Sequence, residues 1–226
     1  MIDELRSEKS GLGSLAGSEQ LISDYGRGSE SNFAYCRYGI GEEGQLVTDT
    51  LDSLRRETEA CDSLQGFKIM HSVEGGTGSG LFANIVEQIM IEYGKIARNS
   101  ITLFPSTNPK GDRTLGAYNA VLSIYSFLEW SDNVIVLDNK NLYKKCLRLY
   151  DSSDKSKLTA PSYKNLNQLV SSAVANYTST FRFSTDGESL NTLDRINMSL
   201  IPYPRIKFVG IGHTQLSFEN KLEPGS

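Results

Sequence analysis

The segment from 67 to 80 constrains the fold more than any other part of this chain of 226 residues. It reads FKIMHSVEGGTGSG, an apolar run followed by four glycines among small hydroxyl residues. Apolar side chains then recur at helical spacing, at Phe82, Ile85, Val86, Ile89, Tyr93 and Ile96. Glycines let backbone N–H groups turn toward an anion, and the start of the following helix adds the positive end of its dipole. This order predicts a phosphate-binding loop, and the expected ligand is a nucleotide.

Three other interpretations of this loop are weaker. A flexible Gly/Ser connector has the same composition, but it need not lie between a strand and an amphipathic helix. A Walker loop requires Lys and then Ser or Thr after its last glycine, whereas Leu81 and Phe82 follow Gly80. The dinucleotide loop of a Rossmann oxidoreductase requires an acidic residue about 20 positions further on, where this chain has Thr102 and Phe104.

Strands and helices are expected to alternate along the chain. The apolar pattern predicts strands at 67–72, 100–104 and 133–138, and helices at 43–62, after the glycine loop, at 114–129 and at 162–180. Such alternation predicts an α/β fold, Rossmann-like, with a mostly parallel sheet and helices on both faces. Ligands of these sheets bind outside the carboxyl ends of the strands. Residues 71–79, residues 106–112 and Asn139 should therefore meet at one edge.

Composition favours one globular unit, with 38% apolar and 22% charged residues and no apolar run long enough to span a bilayer. The net charge of −4 argues against a nucleic-acid-binding surface. Cys36, Cys61 and Cys146 form no CxxC pair, which fits a reducing compartment without structural zinc. With His213 the only other histidine, His71 is expected to pack at its strand end. No metal-ligating residue, nucleic acid or membrane is predicted.

The loop closely resembles the phosphate loop of the tubulin family, which reads GGGTGSG and often follows His-Ser; the bacterial division GTPase FtsZ has a related loop. Here Glu74 stands where the first glycine or an alanine usually lies. A carboxylate beside phosphates repels them unless it points away. The resemblance implies nucleotide contacts from Ser72, Gly75, Gly76, Thr77, Gly78 and Ser79.

Further motifs follow in the family's order from about residue 18 to 215. GSESNFA at 28–34 resembles the loop that ends in Asn-Asn-Tyr/Trp-Ala, which implies that Asn32 contacts phosphate. CDSLQGF at 61–67 matches the segment that leads into the phosphate-loop strand.

A ribose-facing loop is bracketed by FPS at 104–106 and by the pair Tyr118 and Asn119. Within it, Asp112 matches an aspartate of the family, whereas Gly116 stands where the family has a glutamate.

The guanine side is implied by two segments. VLDN at 136–139 resembles the strand end whose asparagine, here Asn139, faces the base. PSYKNLNQLV at 161–170 resembles the start of the central helix, where Tyr163 stacks on the base and Asn167 bonds its edge. Carboxamides suit this task because guanine offers an acceptor next to N–H donors. The alternative is that each asparagine is a cap or turn residue, Asn139 above all.

Hydrolysis in the family depends on an acidic residue that one subunit presents to its neighbour's nucleotide. The corresponding segment, LNTLDR at 190–195, is slightly shorter than the family pattern, so the catalytic position falls on Asp194 or Arg195. Only Asp194 has suitable chemistry, which makes it the candidate catalytic residue of an assembly-dependent GTPase. GTP is the implied cofactor. Mg²⁺ would accompany it in the family, but the acidic loop near magnesium finds no match here.

The resemblance divides the chain into a polar segment at 1–17, a GTPase-like domain at 18–213 and a polar tail at 214–226. The family's first strand with its Gly-Gln-Cys-Gly-Asn-Gln loop finds no match, nor does the second domain. We therefore expect a domain that is incomplete at the N-terminus and truncated at both ends, as a fragment, a partial gene product or a degenerate paralogue. Glu74 and an insert at 151–157 depart from α- and β-tubulin and favour a divergent γ-, δ- or ε-like member.

Two functions follow as hypotheses. The first is a GTP-binding cytoskeletal subunit that stacks head-to-tail in microtubule assembly or nucleation, with tubulin-family subunits or microtubules as partners. Its expected place is the cytoplasmic cytoskeleton, including the centrosome or basal body. The second is a structural or regulatory module that kept the fold and lost the nucleotide, which Glu74 and Gly116 favour.

Overall fold

The architecture comes from a computed structural model that describes residues 17–24, 28–41, 44–105, 115–151, 161–183 and 192–212. Within these ranges the helices are α1 (Gln45–Glu59), α2 (Phe82–Tyr93), α3 (Gly116–Trp130), α4 (Asn139–Asp151), α5 (Tyr163–Arg182) and α6 (Leu193–Leu200). The strands are β1 (Gly66–Ser72), β2 (Ala97–Phe104), β3 (Asn133–Asp138) and β4 (Phe208–Gly210). Shorter helical turns lie at Ser18–Gln20, Tyr35–Ile40 and Thr77–Leu81, the last two with π-helical geometry.

The described strands form one parallel sheet in the order β1-β2-β3-β4. Ser72 pairs with Leu103, and Phe104 pairs with Asp138, so the first three strands end side by side. We call this side of the sheet the carboxyl edge and the side where the same strands begin the amino edge. The predicted mostly parallel sheet is confirmed.

The strand boundaries differ from prediction at one place. The strands expected at 67–72 and 133–138 form within one residue of these bounds, whereas β2 begins at Ala97 rather than at 100. Polar side chains at Arg98 and Asn99 argue against a buried strand. Both are nevertheless buried, with 8% and 1% of their surface exposed, because their polar atoms bond groups on other elements. β4 and α6 are additional to the predicted elements.

Helices cover both faces of the sheet, as predicted. On one face α2 and α3 form a core with the strands, comprising Phe82, Val86, Ala120, Phe127 and Val134, with Ile69 and Val136 packed against it. On the other face α5 packs Val170, Val174 and Tyr177 against Ile101, Ile135 and Leu137. The strand residues alternate between the two sets because successive side chains of a strand point to opposite faces. Each fully buried apolar side chain, such as Val86, contributes roughly 1.5–3 kcal/mol to stability.

The direction of α5 places its first turn near the carboxyl edge. The Tyr177 hydroxyl accepts a hydrogen bond of 3.1 Å from the Asn99 side chain, near the start of β2. Leu169 and Ala173, which precede Tyr177 along the helix, line the same cleft as residues 136–138 at the end of β3. α5 therefore runs antiparallel to the strands, and its N-terminal turn extends beyond their ends.

α6 lies across the amino edge. The Asn197 side chain donates a hydrogen bond of 3.0 Å to Asn99, and its oxygen accepts one of 3.4 Å from Asn133. A side chain on Gly66, the first residue of β1, would lie 3.1 Å from Leu193. α6 is thus fixed to the starts of three strands.

Candidate nucleotide-binding site

The phosphate loop, residues 73–81, connects β1 to α2 at the carboxyl edge. Its second half is the π-helical turn Thr77–Leu81, which continues directly into α2. The first backbone N–H groups of a helix have no intrahelical acceptors, and no side chain caps this helix start. The loop therefore presents N–H donors and the positive end of a helix dipole, the combination that binds anions.

The glycines of the phosphate loop differ in what surrounds them. A Cβ on Gly78 would collide with the Ser72 carbonyl, and one on Gly76 would lie 2.8 Å from the Ser29 carbonyl oxygen. Beside Gly75, in contrast, there is nothing within 4 Å. One side of the loop is therefore packed against the protein, and the side at Gly75 is open to a ligand.

His71 supports the loop from β1. Its Nδ1 lies 2.8 Å from the Gly78 carbonyl oxygen, its Nε2 lies 3.0 Å from the Thr102 hydroxyl, and its ring stacks on Phe82 with centroids 3.5 Å apart. Because a carbonyl oxygen only accepts, Nδ1 carries the proton and Nε2 accepts from Thr102. Burial lowers the pKa of His71 to about 4, so the ring is neutral near pH 7. The prediction of a packed strand-end histidine is confirmed.

The hydroxyl of Ser79 points into the loop. It is fully buried and donates to the carbonyl oxygens of Gly75, at 2.6 Å, and Gly76, at 3.1 Å. Thr77 is exposed, and Ser72 accepts a hydrogen bond of 3.4 Å from the backbone of Glu74. In this structure Ser79 stabilises the shape of the loop, and its predicted contact with nucleotide stays a prediction.

The Asn32 loop, residues 28–34, lies against the phosphate loop. The Asn32 backbone packs on Gly76, where a Cβ would lie 2.8 Å from the Asn32 nitrogen. The Asn32 side-chain oxygen accepts hydrogen bonds from the backbone of Ala34, at 3.0 Å, and Tyr35, at 3.4 Å. The structure therefore brings Asn32 to the predicted site, while its oxygen caps the following helical turn.

Asn119 is a residue of the site whose importance the sequence interpretation missed. It is almost fully buried on α3, with 3% of its surface exposed, and it bonds the backbone of both loops. Asparagine is unfavourable inside a helix because its side chain competes for backbone hydrogen bonds. An asparagine among apolar residues, in the first turn of a helix, was the signal that could have identified it.

The guanine-side residues also lie at the carboxyl edge. Asn139 is the first residue of α4, directly after β3. The cap of α4 is formed by Asp138, whose side chain accepts a hydrogen bond of 2.9 Å from the backbone of Lys140. The alternative interpretation of Asn139 as a helix cap is therefore not supported, because its neighbour has this role.

Tyr163 and Asn167 lie one turn apart on the first turns of α5, so they share a face of the helix. Tyr163 is 79% exposed, and Asn167 is also exposed. The helix start is capped by Ser162 together with Asn165. Neither Tyr163 nor Asn167 is used by the cap, which leaves an aromatic ring and a carboxamide at the edge where the phosphate loop lies.

Asp194 lies at the other side of the sheet. It is exposed in the first turn of α6, and Leu193 beside it packs near the start of β1. β1 is seven residues long, so at about 3.3 Å per residue the two edges lie roughly 20 Å apart. The candidate catalytic residue is thus separated from the candidate nucleotide residues of its own chain.

A family model described as "Tubulin/FtsZ family, GTPase domain" matches residues 3–147. The chain belongs to the Tubulin/FtsZ family. It is 37% identical to the tubulin alpha-2 chain of Eleusine indica over 191 residues, which cover 84% of this chain and 40% of that relative. It is 38% identical to the tubulin alpha-3 chain of Zea mays over 209 residues, covering 92% of this chain and 43% of the relative.

The chain spans about two fifths of the length of these tubulin relatives. Both are α chains, and the subfamily of this tubulin-family member stays a prediction. Over the described residues, a parallel sheet of four strands with helices on both faces forms the α/β fold expected of the family's GTPase domain.

Several predicted features lie outside the described residues, and the described residues contain neither a metal-ligand group nor a membrane-spanning helix. Asp112 with residues 106–114 of the expected ribose-facing loop, most of the insert at 151–157 and His213 are outside the described ranges, whereas Gly116 is the buried first residue of α3. Within those ranges, His, Cys, Asp and Glu side chains form no group of three or more that could hold a metal ion. No helix in the same part of the chain has both the length and the apolar character to cross a bilayer.

Proposed function

We propose that this protein is a GTP-binding subunit of the tubulin family that takes part in microtubule assembly or nucleation by stacking head-to-tail on other subunits. The observation that carries the proposal is the separation of two sets of residues across the sheet. The phosphate loop, Asn139, Tyr163 and Asn167 lie at the carboxyl edge, while Asp194 lies at the amino edge.

The carboxyl edge offers groups that suit both the phosphates and the base of GTP. The open side of Gly75 leaves room beside an uncapped helix start, where backbone N–H groups can bind the phosphates. Asn139 and Asn167 supply the donor and acceptor groups that distinguish guanine from adenine. Tyr163, which is largely exposed, can stack on the base.

Among the described residues, no three or more His, Cys, Asp or Glu side chains group to hold a metal ion by themselves. We therefore assign no part of the mechanism to a metal. GTP would supply the phosphoanhydride bond that is cleaved, and the backbone donors of the phosphate loop would hold it.

Head-to-tail stacking places the amino edge of one subunit over the carboxyl edge of the next. The exposed Asp194 then approaches the neighbour's phosphates, where a carboxylate can orient the attacking water. Such a protein hydrolyses GTP only after assembly. Its partners are other tubulin-family subunits or microtubules, and its place is the cytoplasmic cytoskeleton, with the centrosome or basal body as the finer alternative.

A titration with a fluorescent GTP analogue tests the proposal. We expect saturable binding that GTP competes away and ATP does not. Asn167→Ala should weaken binding by about five- to fiftyfold, because one or two hydrogen bonds to the base are lost. Asn176→Ala is the matched control, since Asn176 is also exposed on α5 but lies about two and a half turns further from the carboxyl edge. Equal binding by both variants would contradict guanine recognition by Asn167.

The second candidate function, a structural or regulatory module without nucleotide, is favoured by Glu74. This residue is half-buried within the phosphate loop, and its negative charge opposes phosphate binding. The same titration with Glu74→Gly separates the two candidates. If the folded wild-type chain does not bind GTP and Glu74→Gly does, the protein is a module that lost its ligand through this substitution.

A further inference from the structure

We propose that Asn119 is a positioning residue that fixes the Asn32 loop and the phosphate loop relative to each other. The inference rests on the proposed function, since it assigns to Asn119 a role in holding the two loops ready for the phosphates of GTP. Asn119 does not itself contact the nucleotide in this proposal. It acts through the backbone of the two loops.

The carboxamide of Asn119 uses both of its N–H donors and its oxygen on these loops. Its Nδ2 donates to the carbonyl oxygens of Ser31, at 2.8 Å, and Glu74, at 3.0 Å. Its Oδ1 accepts from the Phe33 backbone N–H at 3.1 Å. One buried side chain therefore joins α3 to segments that lie 45 to 88 residues away in the sequence.

The Asn32 loop needs such support because its backbone is strained. Glu30 and Ser31 have φ angles of 47° and 53°, in the left-handed region that non-glycine residues rarely adopt. Such conformations persist only where the surroundings hold them. The hydrogen bond from Asn119 to the Ser31 carbonyl holds the second of these two residues at the point where the strain occurs.

The contact between the loops adds a second constraint. Gly76 packs so closely on the Asn32 loop that a Cβ would lie 2.8 Å from both the Ser29 oxygen and the Asn32 nitrogen. Asn119 bonds the chain on both sides of this contact, at Ser31 and Glu74. A shift of either loop would break a hydrogen bond to Asn119 or push Gly76 into the backbone of the Asn32 loop. The two loops and α3 therefore hold each other in one geometry.

The chemistry is specific to asparagine. Aspartate keeps the acceptor for Phe33 but loses both donors and places a charge beside two carbonyl oxygens. Leucine keeps the approximate size and loses all three bonds. In either variant the loops must be ordered when the ligand binds, and that cost lowers the affinity for a ligand that contacts both loops.

The experiment compares GTP with guanosine, which has the base and the ribose but no phosphate. Dissociation constants are measured by competition against a fluorescent guanine nucleotide for wild type, Asn119→Asp, Asn119→Leu and Ser123→Ala. Ser123 is the matched control: it is fully buried on the same helix, but its hydroxyl bonds only the Asn119 backbone carbonyl, at 2.8 Å.

We expect both Asn119 variants to bind GTP about tenfold more weakly or worse, from the loss of two or three hydrogen bonds. Guanosine affinity should stay within about twofold, and Ser123→Ala should leave both constants unchanged. Equal losses for GTP and guanosine would mean a general structural role and would overturn the inference. Unchanged GTP binding by both variants would also overturn it.

Failure of the proposed function gives a different result, because the folded wild-type chain would then not bind GTP at all, and this inference would fall with it. If neither Asn119 variant folds, hydrogen exchange on the wild-type protein decides. The Phe33 amide should exchange slowly without nucleotide, because Asn119 accepts its hydrogen bond. Exchange of this amide at the rate of an unprotected peptide would overturn the inference.

Discussion

The Nδ1 atom of His71 lies 2.8 Å from the carbonyl oxygen of Gly78, so the end of β1 is bonded to the middle of the phosphate loop. The opposite nitrogen bonds Thr102 on the neighbouring strand. The imidazole thus links two strands of the sheet to the loop that follows the first of them. The link requires a neutral ring, since Nε2 accepts a hydrogen bond from the Thr102 hydroxyl group and can do so only without a proton of its own.

Protonation of His71 should destabilise the protein. The pKa of His71 is about 4 in the folded chain and about 6.5 when unfolded, so the unfolded state binds more protons between these values. The contribution of His71 to the free energy of unfolding is therefore fully present above pH 6.5. It is lost progressively as the pH drops toward 4. From pH 7 to pH 5 the loss from this group is about 1–2 kcal/mol.

Urea unfolding at pH 7, 6 and 5 measures this loss, with His71→Asn as the comparison. Asparagine can still donate a hydrogen bond but does not titrate, so the variant should lose less stability over the same interval. Carboxyl groups and His213 are common to both proteins and cancel in the difference. Parallel curves for the two proteins would show that His71 does not cause the pH dependence.

Alanine at Gly78 should lower stability, whereas alanine at Gly75 should lower GTP affinity. Gly78→Ala places a Cβ against the Ser72 carbonyl, and backbone atoms cannot move away cheaply. We expect it to lower the free energy of unfolding by about 1–3 kcal/mol, as overpacking does. Gly75→Ala has open space and should leave stability within about 0.5 kcal/mol, yet weaken GTP binding because its methyl group occupies the open side.

Thermal unfolding and GTP titration of the two variants check this prediction. The informative result is the split, with Gly78→Ala altering the melting temperature and Gly75→Ala altering the dissociation constant. Loss of stability in Gly75→Ala would mean that the open side of the loop is filled in solution.

Much of the fold could be predicted because its main elements carry local signals. β1 and β3 are apolar runs, and the glycine-rich junction marks where a strand becomes a helix. The prediction placed the start of β2 too late because Arg98 and Asn99 are polar. The groups that bond their side chains lie on α3 and α5. A local pattern contains no information about such distant partners. The same holds for α6, whose Asn197 bonds the starts of two strands.

The position of the candidate site could be predicted from the sequence, but the residues that hold its loops in shape could not. Motif order placed the phosphate loop, Asn139 and Asn167 at the ends of predicted elements, and the structure brings these ends to one edge. Ser79 and Asn119 have structural roles that no motif indicated. Their side chains are buried and bond backbone carbonyls of the loops, a role that only the folded chain reveals.

Arg98 should be important for stability and unimportant for GTP binding. At the amino edge its guanidinium donates to the carbonyl oxygens of Trp130, at 2.7 Å, Gly94, at 2.6 Å, and Ile96, at 3.0 Å. The lysine ammonium is a point charge that cannot reproduce this fork. Arg98→Lys leaves buried carbonyls without donors and should cost about 2–3 kcal/mol.

Urea unfolding measures the cost, and Arg56→Lys is the control because Arg56 is exposed on α1 and its ion pair with Glu19 lies at the surface. GTP affinity of the folded Arg98→Lys protein should match wild type, since Arg98 lies at the other end of the sheet. A parallel loss of GTP affinity would indicate that the two edges are coupled.

Asp194 should act on the nucleotide of a neighbouring subunit. It lies roughly 20 Å from the phosphate loop of its own chain, by the length of a strand. Asp194→Asn should therefore keep the GTP affinity of the single chain within about twofold, and lose about a hundredfold in the hydrolysis rate under assembly conditions, because a carboxylate that orients water is removed. Arg195→Gln tests the alternative alignment and should leave hydrolysis unchanged.

Mixing variants provides the decisive measurement. Asp194→Asn subunits bind GTP but cannot activate a neighbour, whereas Asn167→Ala subunits bind GTP weakly but retain Asp194. If Asp194 acts across the subunit contact, the mixture hydrolyses GTP faster than either variant alone at the same total concentration, because Asn167→Ala subunits stack on GTP-loaded neighbours. A mixture that assembles yet stays as slow as the Asp194→Asn protein would contradict action between subunits, as would loss of single-chain GTP affinity in Asp194→Asn.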